Sequence, residues 1–315
     1  MAKKISLIHR VQKNQKGLRL DVVAAKAFPE FSRNNIQKWI KKGELTLNGS
    51  SSKSKQLLRG TELLEIQAER IEVVEDLPEE INLDILFEDE DIMVINKKPG
   101  LVVHPGAGNK SGTLVNGIIN HNPSQAYLPR AGIVHRLDKE TSGLMVIAKN
   151  ESSYLNLIKQ LKKRSIERKY TALVVGEPIT GGIIDKPLGR HPKHRTRQAV
   201  ITGGKEALTK YKILEKINGY SLLEVSIETG RTHQIRVHMA HIGFPLIGDA
   251  VYGKKKKFSK GTSERVRNKI MNFKRQALHA SSLRLVHPSN KDVILFKKDL
   301  PKDMTLLLNI LKNVK

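Results

Sequence analysis

The chain has 315 residues, enough for about two domains and a sizeable core. Its formal net charge of +25 and pI near 10.1 favour nucleic acid as the partner; a membrane is disfavoured, because no apolar run approaches the roughly 18–20 residues a crossing needs and MAKKISLIHRVQKNQKG has no signal-peptide core. Zero cysteines exclude disulfides, thiolate metal sites and thiol nucleophiles and fit a reducing compartment, and 4% aromatics disfavour RNA recognition by an aromatic stacking sheet.

Residues 1–16 read as a basic N-terminal tail and 17–66 as a compact basic module. Leu20, Val23, Ala24 and Ala27 recur at i, i+3, i+4 and i+7, a helix face. Pro29 interrupts. Ser32 then caps a second helix carrying Ile36, Trp39 and Ile40, with Gly43 just past its end. Leu45 and Leu47 alternate into an Asn48-Gly49 turn, and Leu63-Leu64-Glu65-Ile66 closes the unit. Between Lys13 and Arg59, eleven Lys/Arg stand against three Asp/Glu. The run RLDVVAAKAFPEFSRNNIQKWIKKGELTLNG resembles the S4-type RNA-binding domain. On that resemblance Arg33, Lys38, Lys41 and Lys42 are phosphate contacts, which position RNA without reading its sequence. A solvated basic helical domain is the plainer alternative.

The charge then changes sign: 71–91 carries ten acids and no Lys or Arg. Residues 67–83, with Pro78, read as an extended acidic linker, either holding two basic domains apart or simply solvated.

Residues 84–315 read as one larger domain. Ile85-Leu86-Phe87 and Ile92-Met93-Val94-Ile95 flank Glu88–Asp91 as a hairpin. Lys97-Lys98-Pro99-Gly100 and His104-Pro105-Gly106-Ala107-Gly108 free the backbone for close approach to a ligand, or merely turn the chain. Thr113 caps a helix bearing Leu114, Val115, Ile118 and Ile119 before Pro123. In AGIVHRLDKETSGLMVIAKN, from Ala131 to Asn150, Ile133-Val134 end one strand and Leu144–Ala148 form the next, with a polar turn closed by Gly143 between them. Arg136 and Asp138 point one way and Leu137 the other, into the core. On spacing alone, an active-site pair and an Asp that only shapes a turn are equally good readings.

Tyr154, Leu157, Ile158 and Leu161 mark a short helix capped by Asn150 or Ser152, and Tyr170–Val175 a strand. The loop LGRHPKHRTRQAV offers Arg190, His191, Lys193, Arg195 and Arg197 to phosphate. Leu223–Ile227 alternate as a strand that turns at Gly230, just before Arg231. A metal at His233, His238 and His241 is disfavoured, since no thiolate is present and His238 and His241 share at most one helical turn. Residues 254–275 set ten Lys/Arg against Glu264 alone, a solvated loop that also touches RNA.

The segment around HRLD resembles the signature of the RluA/RluD class of RNA pseudouridine synthases. NKKPGLVVHPGAGN is similar to the first motif of that family in the wording of its RluD branch, LLEVSIETGRTHQIR to its third, and QALHA repeats the family's phrasing. Phe244 and Leu208 depart from the pattern outside these motifs. The resemblance runs from the S4-like unit through QALHA. It implies an α+β fold, with a mixed, largely antiparallel-sheet catalytic domain behind a small N-terminal S4-like domain. It further implies Asp138 as nucleophile, Tyr170 as the tyrosine that contacts the target base, Arg231 as the arginine paired with Asp138, and Arg136 as the residue that takes the place of a flipped nucleotide.

Such an enzyme breaks the N1–C1′ bond of a uridine, turns the uracil over and joins C5 to C1′. One carboxylate suffices, by adding to C1′ or by taking the 2′ proton, and no cofactor or metal is needed. A glycoside hydrolase would want two carboxylates and a placed water, and only Glu140 lies nearby. The expected substrate is large-subunit ribosomal RNA, the expected location the cytoplasm and the expected state a monomer. A non-catalytic RNA-binding or ribosome-assembly factor, and the same chemistry on transfer RNA, are the alternatives.

Overall fold

Strand β1 (Lys3–Arg10) and strand β3 (Leu63–Arg70) pair antiparallel along their whole length, Lys3 opposite Arg70, in the computed structural model of this protein. The structure describes residues 3–313 except 30, 32, 71–76, 107, 195, 254–257 and 259–261. The chain divides into two compact units, Met1–Val74 and Glu75–Lys315.

In the first unit, helix α1 (Leu20–Ala27) and helix α2 (Arg33–Lys42) bury Leu20, Val23, Ala24, Ile36, Trp39 and Ile40 against the three-stranded sheet β1-β3-β2, with β2 spanning Leu45–Leu47. Gly43 and the Asn48-Gly49 turn take positive φ, as a helix C-terminus and a tight hairpin require. The expected tail 1–16 is therefore corrected: β1 belongs to this sheet, with Ile5 and Leu7 packed on its core. Asp21 is fully buried where the helices meet. Burial alone would raise its pKa, but hydrogen bonds from Arg19, Gln37 and Arg33 hold it down at about 2.

The expected linker is shorter than 67–83, since residues from Leu77 onward pack on the second unit. The Leu77 carbonyl accepts from Asn116 at 2.7 Å, and Glu79 receives the Gly112 amide. The second unit is built on a mixed, mostly antiparallel sheet, nine-stranded among the described residues. Its strands are β4 (Ile85–Glu88), β5 (Ile92–Lys97), β6 (Ser142–Ala148), β7 (Glu167–Val175), β8 (Gly182–Asp185), β11 (Leu208–Ile217), β12 (Tyr220–Ile227), β13 (Leu278–Val286) and β14 (Val293–Lys297). They run in the order β4-β5-β6-β13-β7-β12-β11-β8, with β14 on the free flank of β13; β9 (Leu188–Arg190) and β10 (Gln198–Val200) form a separate hairpin. Five α-helices among the described residues accompany the strands: α3 (Leu114–His121), α4 (Glu151–Lys162), α5 (Gln234–His241), α6 (Glu264–Asn272) and α7 (Lys302–Lys312). Asn150 caps α4 by accepting the Ser153 amide at 2.8 Å. Helix α6 occupies part of the expected solvated loop 254–275, because Val266 and Ile270 fall on one face and bury there.

The only parallel pairing between strands among the described residues, β6 with β13, is short and begins four residues after Asp138. Gly143 lies in it at φ 117, where a Cβ would stand 2.3 Å from the Ala280 carbonyl oxygen. Only glycine fits there.

Candidate active site

The HRLD segment is irregular backbone pinned at several points. Leu137 is buried in the main core beside Ile133 and Tyr170. The Val146 amide donates to His135 Nε2 at 3.1 Å. Lys97, itself buried, donates to the carbonyls of Lys98, Leu101 and Lys139 at 2.8–3.0 Å, tying the NKKPG turn to the residue after Asp138. Burial pulls the Lys97 pKa down to about 7 against the opposing charges of Glu140 and Asp138; three accepting carbonyls match the three N–H groups of the ammonium form.

Asp138 faces a cleft of about 540 Å³ that Arg136, Tyr170, Arg231, His233 and Arg236 also line. All four residues expected around the reacting uridine thus meet in one place. The pairing differs. Arg236, on the buried side of α5, donates through Nη1 to Asp138 Oδ2 at 3.0 Å. The same guanidinium donates through Nε and Nη2 to Asp249 at 2.7 and 3.0 Å. Arg231 is exposed at the turn before α5, and its Nε donates to the Glu206 carbonyl at 3.0 Å. The expectation that Arg231 pairs with Asp138 is therefore corrected to Arg236. The reason is local: the turn at Gly230 leaves Arg231 outside the helix, whereas α5 is buried over Gln234–Met239 and carries Arg236 inward. A charged residue set between the apolar Ile235 and Val237 was the signal that could have found it.

Asp249 and Tyr252, in the stretch GDAVYG, were not anticipated from the sequence. Asp249 Oδ1 accepts the Val251 and Tyr252 amides, so its carboxylate is fixed before it meets Arg236. Burial would raise the Asp249 pKa, but Arg236 holds it below the usual carboxylate range. The Arg236 guanidinium carbon lies 5.1 Å over the centre of the Tyr252 ring. Tyr252 Oη accepts the Gln198 amide and lies 2.8 Å from His233 Nδ1. Burial favours the neutral form of the His233 ring.

Tyr170 is buried on β7. Burial pushes its hydroxyl pKa up, with the Asp138 charge adding to the rise and Arg168 opposing it, so the phenol is neutral at physiological pH. Arg136 is exposed at the mouth of the cleft. Nearby, burial lowers His104 to about 4, helped by the charges of Arg130 and Arg136.

Of the histidines considered as ligands, His238 uses both nitrogens, toward Thr209 Oγ1 at 2.9 Å and the Lys186 carbonyl at 3.0 Å. Arg33 is partly committed to Asp21 at 2.9 Å. Lys38, Lys41 and Lys42 are exposed on α2, and Arg197 is exposed between β9 and β10. Arg195 lies outside the described residues.

A carboxylate held by a buried guanidinium and a buried tyrosine sharing one cleft, on this mixed sheet, are features of an RNA-modifying isomerase. The chain belongs to the RNA pseudouridylate synthase family: that family's model matches residues 91–241, and the S4 domain model matches residues 18–63. It is 45% identical over 313 residues to "Ribosomal large subunit pseudouridine synthase D" of Escherichia coli (strain K12), covering 99% of this chain and 96% of that one. The protein of the same name from Pseudomonas aeruginosa is 45% identical over 296 residues, covering 94% and 92%. Among solved structures, "Human RNA Pseudouridylate Synthase Domain Containing 4" superposes with a TM-score of 0.56 at 25% identity, covering 72% of this chain and 92% of that one. The chain is an RNA pseudouridine synthase.

Proposed function

We propose that this enzyme isomerises specific uridines of large-subunit ribosomal RNA, acting as a monomer in the cytoplasm, with Asp138 as the reacting carboxylate. The single observation that supports the site is the meeting of Asp138, braced by Arg236, and Tyr170 in one cleft. Likeness to relatives named for the large ribosomal subunit over nearly their full length supports the substrate.

A uridine inside folded RNA must leave its stack, at a cost of a few kcal/mol. Arg136, exposed at the cleft mouth, fills the vacated position, while the uracil enters against Tyr170. Asp138 then adds to C1′ or removes the 2′ proton as the N1–C1′ bond breaks. The uracil turns over within the closed space and C5 bonds to C1′. C5 loses its proton and N1 gains one, so the reaction is balanced with nothing added. The guanidinium of Arg236, donating to Oδ2, keeps the Asp138 carboxyl group oriented toward the cleft.

Asp138→Asn is expected to abolish pseudouridine formation while RNA affinity changes little, since one charge is altered on a protein of net charge +25. Mapping pseudouridines in ribosomal RNA with and without the protein tests the substrate. Full activity of Asp138→Asn sinks the mechanism, and loss of binding together with activity makes the aspartate structural.

A further inference from the structure

Three arginines of the second unit are buried: Arg236 at 6% exposure, Arg168 at 8% and Arg275 at 8%. A buried guanidinium is unfavourable unless a counter-charge meets it. Arg236 has Asp138 and Asp249, and Arg275 has Asp303. Arg168 has no carboxylate partner among the described residues, and its Nε is buried without a hydrogen-bond acceptor.

Arg168 stands two residues before Tyr170 on β7, so both side chains lie on one face of the strand, and both line the cleft. A second donor there is equally unsatisfied. His135 Nε2 accepts the Val146 amide, which leaves the ring proton on Nδ1; that nitrogen is buried and has no partner. Burial, with the Arg168 charge, lowers His135 to about 3 and keeps the ring neutral. Gly230 adds to the construction of the site, because a Cβ there would stand 3.1 Å from Arg168 Nη1.

The protein's own anions along the cleft are already engaged. Asp138 is held by Arg236, and Glu228 by Lys210 and Arg164. None of the described residues supplies a counter-charge to Arg168, and its place in the cleft leaves that role to a ligand.

We propose that Arg168 forms a phosphodiester subsite inside the cleft, receiving a phosphate that flanks the flipped uridine, with His135 Nδ1–H as a second donor. The exposed lysines and arginines elsewhere offer the RNA interchangeable, solvated charge. Arg168 offers a fixed and desolvated one, so it sets how deep and in which direction the nucleotide enters. The proposal rests on the reading of this cleft as the uridine site. Conversion of the unmodified RNA by the wild type, and its loss in Asp138→Asn, tests that reading separately.

The test couples a protein change to an RNA change. A short RNA bearing a converted uridine is made with the phosphate 5′ or 3′ of that uridine neutralised as a methylphosphonate. The nucleotide before each linkage carries a 2′-O-methyl group, as does the matched reference RNA. Affinities are measured for the wild type, Arg168→Met and Arg168→Lys. Neutralising one of the two phosphates is expected to weaken the wild type by about ten- to a hundredfold, as for a charge-assisted contact. The same neutralisation should change Arg168→Met by less than about twofold, with Arg168→Lys between them. A merely structural arginine would not lose sensitivity to one particular phosphate. The proposal is overturned if Arg168→Met is as sensitive as the wild type at both linkages, or if the wild type is indifferent to both. Should Arg168→Met fail to fold, the wild-type series and Arg168→Lys decide in the same way.

Discussion

Arg231 and Arg236 lie five residues apart and end in different environments, one exposed and bonded to a carbonyl, the other buried between two carboxylates. Arg236→Met leaves both Asp138 and Asp249 without their cation. Turnover is expected to fall on the order of a hundredfold or more, the cost of misplacing a reacting group by about an ångström. Melting temperature should fall with it, because an uncompensated buried charge costs about 3–5 kcal/mol. Arg236→Lys rescues little, since one ammonium cannot bridge two carboxylates as a guanidinium does. Arg231→Met, at an exposed position, is expected to change stability by no more than about 0.5 kcal/mol. Steady-state kinetics and melting curves on the three variants decide it; the reverse order of effects would make the Asp138–Arg236 contact incidental. The sequence made Asp138, Arg136 and Tyr170 legible because each lies within a contiguous, recognisable motif. Arg236, Asp249 and Arg168 were not legible, because their meaning depends on partners, or on a missing partner, that only the folded chain defines.

Among the elements, those specified locally were readable and those that depend on distant pairing were not. The β4–β5 hairpin, the Asn48-Gly49 turn and α3 each carry their own turn or cap residues. Strand β1 carries none, and its partner β3 lies more than fifty residues further on, so KKISLIHR passes for a basic tail. Helix α6 hides in a lysine-rich run because only Val266 and Ile270 mark its inner face. Gly143 tests how tightly an element controls the site. Gly143→Ala drives a methyl group into the β13 backbone at a positive φ, so a stability loss exceeding about 1–3 kcal/mol is expected. Turnover should fall further than the unfolded fraction explains, because β6 begins four residues after Asp138. Gly203→Ala is the control, at φ 76 with open space around it, and should cost only about 1 kcal/mol in backbone strain. The α1–α2 pair has an acid-sensitive joint in Asp21. Its folded pKa of about 2 lies below the ordinary 3.8, so its contribution to stability is present above about pH 4 and is lost as pH falls toward 2. Trp39, the single tryptophan and part of that core, reports this unit alone. Urea titrations followed by its fluorescence should show Asp21→Asn to be destabilised at pH 7 and less sensitive than wild type between pH 4 and 2.

For the whole molecule, the positive charge is shared between two units with different work. Residues 1–74 hold fifteen Lys/Arg against seven Asp/Glu, a net of +8 out of +25, and none of the cleft residues. A truncated chain should begin at Glu75 rather than near Leu83 as the sequence suggested, because Leu77 and Glu79 bond to the second unit and Ile81 and Leu83 pack against Gly117. Such a chain keeps the complete cleft and is expected to retain isomerase activity on RNA while binding it more weakly. Each lost phosphate contact lowers the slope of log K against log salt by about 0.9 on duplex and about 0.7 on single strands. Three or four lost contacts, of the kind Lys41 and Lys42 can make from the exposed side of α2, therefore flatten the slope by about two to three and a half. Affinity measured at several salt concentrations for the full and truncated chains reads this directly. If the two slopes coincide, the first unit does not meet phosphate, and its basic residues serve a protein contact or solvation instead.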